Sequence, residues 1–228
     1  MMDITQSLPR IIKTYQNHFG TLFLSTLVAC AFSSLSCGLL AGPFLGGLLL
    51  YNLRLWQGRE GSLAAATKEV FGHFDQAFSC LLLFLFTGLI WYLASIIGYI
   101  PFLGSLFVFL FHPLLFFFFC LALLFIIDKG YALIPALTGA SGIILTNPLN
   151  IAFYGLITGL LGLSGAFFLI LPVILTIPLT FLAASLAYYV LSATAPETLR
   201  IDRHTLLIVS IYFTVFILAG VIFKYSGL

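Results

Sequence analysis

The stretch FHPLLFFFFCLALLFIIDKG, Phe111 to Gly130, carries no charge until Asp128 and Lys129, yet holds a histidine and a proline among phenylalanine and leucine. A run of this kind matches a membrane-crossing helix, which needs about 20 apolar residues. The chain around it has the same character. Of its 228 residues 62% are hydrophobic and 7% charged, and the mean hydropathy is +1.19, whereas about a quarter of the residues of a soluble domain are charged. The class is therefore an all-α, polytopic integral membrane protein. A net charge of +2 and no run of lysine and arginine exclude a nucleic-acid partner.

Asp3, Arg10, Lys13 and His18 precede any long apolar run, and no small-residue motif ends the first one, so no cleaved signal peptide is expected. Cys30, Cys37, Cys80 and Cys120 all fall within apolar spans. Cys30 and Cys37, seven residues apart, lie about 10 Å apart along a helix. Neither a disulfide framework nor a metal site is expected, and no cofactor is implied.

Apolar length places seven spans near residues 20–38, 42–57, 77–99, 104–127, 149–170, 173–193 and 205–224, the first two short. Arg10, Lys13, Arg54, Arg59, Lys68, Lys129, Arg200 and Arg203 then share one side, and Lys224 alone is opposite. The positive-inside rule makes the shared side cytoplasmic, the N-terminus with it. The opposite connections, 99–104 and 168–173, are tight and uncharged.

Three proline-led stretches repeat. Pro43, Pro113 and Pro178, spaced 70 and 65 residues apart, each open about fourteen residues that return to the cytoplasmic side. Each is preceded by an outward span and, before that, by a shorter segment. The first of these segments has Ile4, Leu8, Ile11, Ile12, Tyr15 and Phe19 at helical spacing, and the second Leu63, Ala66, Val70, Phe74 and Ala77. Both read as amphipathic helices at the membrane interface. The third, 131–147, is uncharged and richer in glycine. The chain thus reads as a single membrane domain, 1–228, of repeat-like units over about 1–60, 61–130 and 131–195, with an extra helix over 196–228. The prolines are expected to kink or start their helices. Thr194, Pro196 and Glu197 have the spacing of a capping box, so a helix is expected to begin near Ala195.

The combination of AGPFLGG (41–47), YNLRLWQGREG (51–61), EVFGHFDQAF (69–78) and DKGYALIPALTGASGIILTNP (128–148) resembles uncharacterised bacterial integral-membrane proteins labelled as glycerophosphoryl diester phosphodiesterase membrane domains. The resemblance covers roughly residues 5–195 and rests on glycine, proline and phenylalanine positions. It implies a multi-helix protein of the bacterial inner membrane and assigns no catalytic group. The soluble phosphodiesterase that gives the family its label has no counterpart in this sequence.

Candidate chemistry is sparse. His112 lies about eight residues from the outer turn, some 12 Å along a helix; an ionisable group at such depth is a functional candidate. The plainer reading is a joint in which a neutral imidazole bonds the carbonyl freed by Pro113. Asn52 and Arg54 are candidates for contact with a lipid phosphate or an anionic solute, against a plain snorkelling arginine. Asp75 and Asp128, at span ends beside His73 and Lys129, read as topological markers rather than proton couplers. Gly38, Gly42 and Gly46, and Gly155, Gly159, Gly162 and Gly165, have the small-residue spacing that lets helices approach closely, for packing within the chain or for docking. No H-E-x-x-H, G-x-S-x-G or Walker motif occurs, so no catalytic residue is assigned. The expected function is non-catalytic support of envelope or lipid processes, with membrane lipids and a membrane-protein partner or second copy as contacts. A transporter for a small or lipidic substrate is the alternative, favoured if His112, Asn52, Ser33, Ser34 and Ser36 converge on one cavity.

Overall fold

The computed structural model describes residues 4–36, 38–59, 61–163 and 170–192, together with 214–215, 217–222 and 224–225; side chains at 4–5, 162–163 and 170–175 are outside this description. Among the described residues nine helices form and no strand: α1 (Ile4–Asn17), α2 (Phe19–Leu35), α3 (Ala41–Trp56), α4 (Leu63–Gly72), α5 (Phe74–Ile97), α6 (Leu103–Lys129), α7 (Leu133–Thr146), α8 (Pro148–Leu163) and α9 (Ile170–Leu191).

Local chemistry sets several boundaries. The Ser62 hydroxyl accepts from the Ala65 amide at 3.2 Å and starts α4, satisfying one of the amides a helix start leaves free. Gly130, left-handed at φ 67°, ends α6 with its amide turned to the Phe125 carbonyl. The α5–α6 turn is tighter still. The Leu103 amide donates to the Pro101 carbonyl at 2.7 Å across Phe102, whose φ is +59°, the strained three-residue turn that side chains rarely enter.

α5 and α6, with 24 and 27 residues, are long and apolar enough to cross a membrane. α1 meets α2 at 85° and α7 meets α8 at 107°, and counting each bent pair as one span gives four. Helix length therefore does not reach the seven expected spans. α2, α3 and α8 have 17, 16 and 16 residues, at or just under the lower limit of about 17. The expected seventh span and the capping box at 194–197 lie largely or wholly outside the described residues.

α3, α6 and α9 pack on one another and form the interior. α6 is buried almost without break from Phe117 to Ile127, and α9 from Thr180 to Tyr188. The other helices dress this trio in a closed order. α4 packs on α3, α7 on α6 and α1 on α9; α5 lies against α3 and α6, α8 against α6 and α9, and α2 against α9 and α3.

One of the three prolines of the trio sits unlike the other two. Pro43 falls in the first turn of α3, where its missing amide costs nothing; it starts that helix and does not kink it. Pro113 and Pro178 lie inside α6 and α9, which continue as helix on both sides.

In lipid there is little hydrophobic drive between helices, so close contact and hydrogen bonds must hold them. Glycines supply the contact. A Cβ on Gly42 would lie 2.3 Å from the Cys80 carbonyl oxygen of α5, and one on Gly159 2.6 Å from Pro113 Cβ of α6. One on Gly155 would lie 2.7 Å from the Phe117 ring. Gly38, at φ +83°, has the Phe84 ring 3.6 Å from its Cβ direction, and Gly46 faces Ile127 and Cys80. Gly165 lies outside the described residues. The hydrogen bonds converge on α9: Trp56 Nε1 donates to the Leu182 carbonyl at 3.0 Å, and the Tyr154 hydroxyl to the Ala183 carbonyl at 3.0 Å. The Tyr188 hydroxyl donates to the Asp128 carboxylate at the end of α6 at 2.7 Å.

Candidate functional site

The polar side chains named from the sequence do not gather in one place. Asn52 and Arg54 stand two residues apart on α3, so their side chains diverge by roughly 200° around the helix. Asn52 is 1% exposed. Both its amide atoms lack a hydrogen-bond partner, a costly state for a buried amide. Arg54 points instead to α4, where its guanidinium pairs with the Glu69 carboxylate. The interhelix ion pair is a partner that neither reading of Arg54 foresaw. α4 packs on α3 closely enough that Gly47 faces Thr67, and this contact brings Glu69 into reach.

The small hydroxyls are satisfied within their own helices or by a neighbour's backbone. Ser33 donates to the Ala29 carbonyl at 2.7 Å and Ser36 to the Ser33 carbonyl at 3.0 Å. Thr26, Thr158 and Ser185 donate to carbonyls four residues back, and Thr180 to the Thr158 carbonyl at 2.9 Å. Ser34 is exposed. Cys30, Cys80 and Cys120 are free thiols, and Cys37 lies outside the described residues. Among the described residues no three of histidine, cysteine, aspartate and glutamate cluster as metal ligands would.

His112 has partners that the sequence did not reveal. The imidazole stacks on the Trp91 ring of α5 with centroids 4.1 Å apart and planes 11° apart. Its Nε2 lies 3.4 Å from the Ser95 hydroxyl, which itself donates to the Trp91 carbonyl at 2.8 Å. The histidine therefore looks across to α5, and not back along α6 to the carbonyl that Pro113 frees. A tryptophan, a serine one turn later and a histidine on the next helix carried no spacing signal, because they meet only when α5 and α6 pair.

Two cavities flank this cluster. Beyond it, toward the α5–α6 turn, lies a space of about 450 Å³ lined by Ser95, Tyr99 and Ser105 with Gly98, Val108 and Phe109. Before it lies one of about 270 Å³ that is apolar but for Thr87, with Phe84, Thr87, Gly88 and Trp91 on one side, Phe116 and Phe119 on the other, and Leu45 of α3 beside them. A side chain at Gly88 would meet nothing within 4 Å. The C-terminal part of the chain reaches the outer cavity: a Cβ on Gly220 would lie 2.3 Å from the Ile96 carbonyl oxygen, and the Lys224 ammonium stands 5.0 Å from the Tyr99 ring centroid.

No family model, curated protein or solved structure matches this chain.

Proposed function

We propose that this is a non-catalytic integral protein of the bacterial inner membrane that supports envelope or lipid processes through helix packing and through contact with lipid or a membrane partner. In this reading the chain crosses the membrane seven times from a cytoplasmic N-terminus, and its three successive helix triplets are copies of one unit. The closed pairing order of α1 to α9 supports the repeat, since rotating the triplets into one another carries the main contacts onto equivalent ones, the α5–α7 contact excepted.

One observation carries the functional reading. Neither of the two cavities described is lined by His112, Asn52, Ser33, Ser34 or Ser36, and the buried hydroxyls of Thr26, Thr158, Thr180 and Ser185 donate to backbone carbonyls. A translocation path needs polar groups lining a shared route. The trio α3, α6 and α9 instead presents a mostly apolar interface, as a packing scaffold does.

The test is native mass spectrometry of the protein released gently from its own membrane, with a flux assay in proteoliposomes beside it. Lipid or protein partners retained in fixed ratio, with no solute flux, support the proposal. Flux that disappears in His112→Ala or Asn52→Leu overturns it in favour of transport.

A further inference from the structure

The two cavities along α5 and α6 lie end to end. Trp91 lines the inner one and Ser95, one helical turn further, lines the outer. On α6, Phe109 belongs to the outer and Phe116 to the inner, with His112 between them. The stacked Trp91–His112 pair is therefore the partition of a single groove, and the contact of His112 with Ser95 ties the partition to its polar side.

Polarity changes sharply along that groove. The outer end offers the Ser105 hydroxyl and a tyrosine, with a lysine ammonium at Tyr99, while the Ser95 hydroxyl is spent on the Trp91 carbonyl. The inner end offers aromatic rings and the open face of Gly88. Among the described residues the outer end carries positive charge only. The described carboxylates are Glu69, Asp75 and Asp128, on α4, at the start of α5 and at the end of α6, all away from the α5–α6 turn. An ammonium without a nearby carboxylate attracts an anion, and it acts as a point charge suited to phosphate. An apolar cavity beside hydrocarbon gains contacts by admitting a chain and gains nothing by admitting water.

We propose that this groove binds one anionic phospholipid, its phosphate at Lys224 and the Ser105 hydroxyl, and one acyl chain passing the Trp91–His112 pair to lie along Gly88. The ligand comes from the leaflet at the α5–α6 turn. The site rests on the lipid-contact reading above and narrows it to one place and one headgroup charge. His112 serves as a positioning residue that holds Trp91 flat along the chain's path.

Trp91 reports on the site. The full chain is reconstituted in phosphatidylcholine bilayers doped with chain-brominated phosphatidylglycerol or chain-brominated phosphatidylcholine, and the signal of Trp91→Phe is subtracted to remove Trp56. The expected result is half-maximal quenching at a roughly fivefold lower mole fraction of the brominated phosphatidylglycerol, the preference that one lysine near the surface supplies. Lys224→Gln brings the two lipids to parity. Gly88→Leu, which projects into open space and so leaves the packing intact, removes the preference by filling the groove. Equal quenching by both lipids in the unaltered chain overturns the proposal, as does a preference that survives either substitution. Solute flux in the same vesicles would sink the non-catalytic reading separately, whatever the quenching shows.

Discussion

The seam between α3 and α5 and the seam between α6 and α8 hold corresponding places in the bundle, yet they put their glycines on opposite partners. In the first, Gly42 and Gly46 belong to the interior helix and meet Cys80 of the outer one. In the second, Gly155 and Gly159 belong to the outer helix and meet Pro113 and Phe117 of the interior one. What the two seams share is separation, not residue order. Helices in lipid gain from approaching until backbones nearly touch, and a glycine on either side permits it. The third seam, of α2 with α3 and α9, has no glycine among the buried residues of α2, which are Leu22, Ser25, Thr26 and Ala29. Small side chains serve there instead.

The comparison can be broken most directly at Gly42. A methyl there meets a backbone carbonyl that cannot turn aside, so Gly42→Ala should cost about 2–3 kcal/mol, read as a lower midpoint in a denaturing-detergent titration. If it is tolerated as well as Gly88→Ala, where the space is open, the α3–α5 seam is not close-packed. The α6–α8 seam sharpens the point by grading its own two glycines. Gly159→Ala presses on the Pro113 ring and backbone, whereas the atoms nearest a Gly155→Ala methyl all belong to the Phe117 side chain. The first should lose about 2 kcal/mol and the second about 1; the reverse order would mean that ring packing, not backbone contact, sets the spacing.

Asn52 asks whether the interior face of α3 needs a polar group at all. Its amide is buried and unbonded, so Asn52→Leu should stabilise the protein by about 1 kcal/mol, seen as a higher midpoint in the same titration. Loss of stability instead would point to a ligand or partner held by that amide. The smallest effect is expected at the ion pair. Arg54 and Glu69 have side chains 21% and 48% exposed, and a double-mutant cycle should give less than about 1 kcal/mol of coupling, falling as salt rises.

Several elements were legible without coordinates. Hydropathy placed the apolar helices close to where they form, because a helix in lipid must satisfy its own backbone and its length follows from composition. The short helices before α2 and α5 were visible in the spacing of Ile11 and Tyr15 and of Ala66 and Val70. Gly155 and Gly159 announced a tight contact by their four-residue interval. Their target did not announce itself, and neither did which of the three prolines starts its helix.

The candidate site was less legible for a physical reason. His112 was conspicuous as an ionisable group in an apolar run, but Trp91, Ser95 and Lys224 were ordinary residues of their own segments. A one-dimensional pattern records which face of a helix is apolar or small, since the helical period maps residue order onto a surface. It does not record which other face meets it. The stacking of Trp91 on His112, the pairing of Arg54 with Glu69, and the arrival of Lys224 at Tyr99 depend on the rotation and depth of helices far apart in the chain. Residue order supplied the class, the helices and the sites of close approach; assembly of the bundle chose the partners, because contact energy in lipid depends on the fit of two surfaces and neither surface specifies it alone.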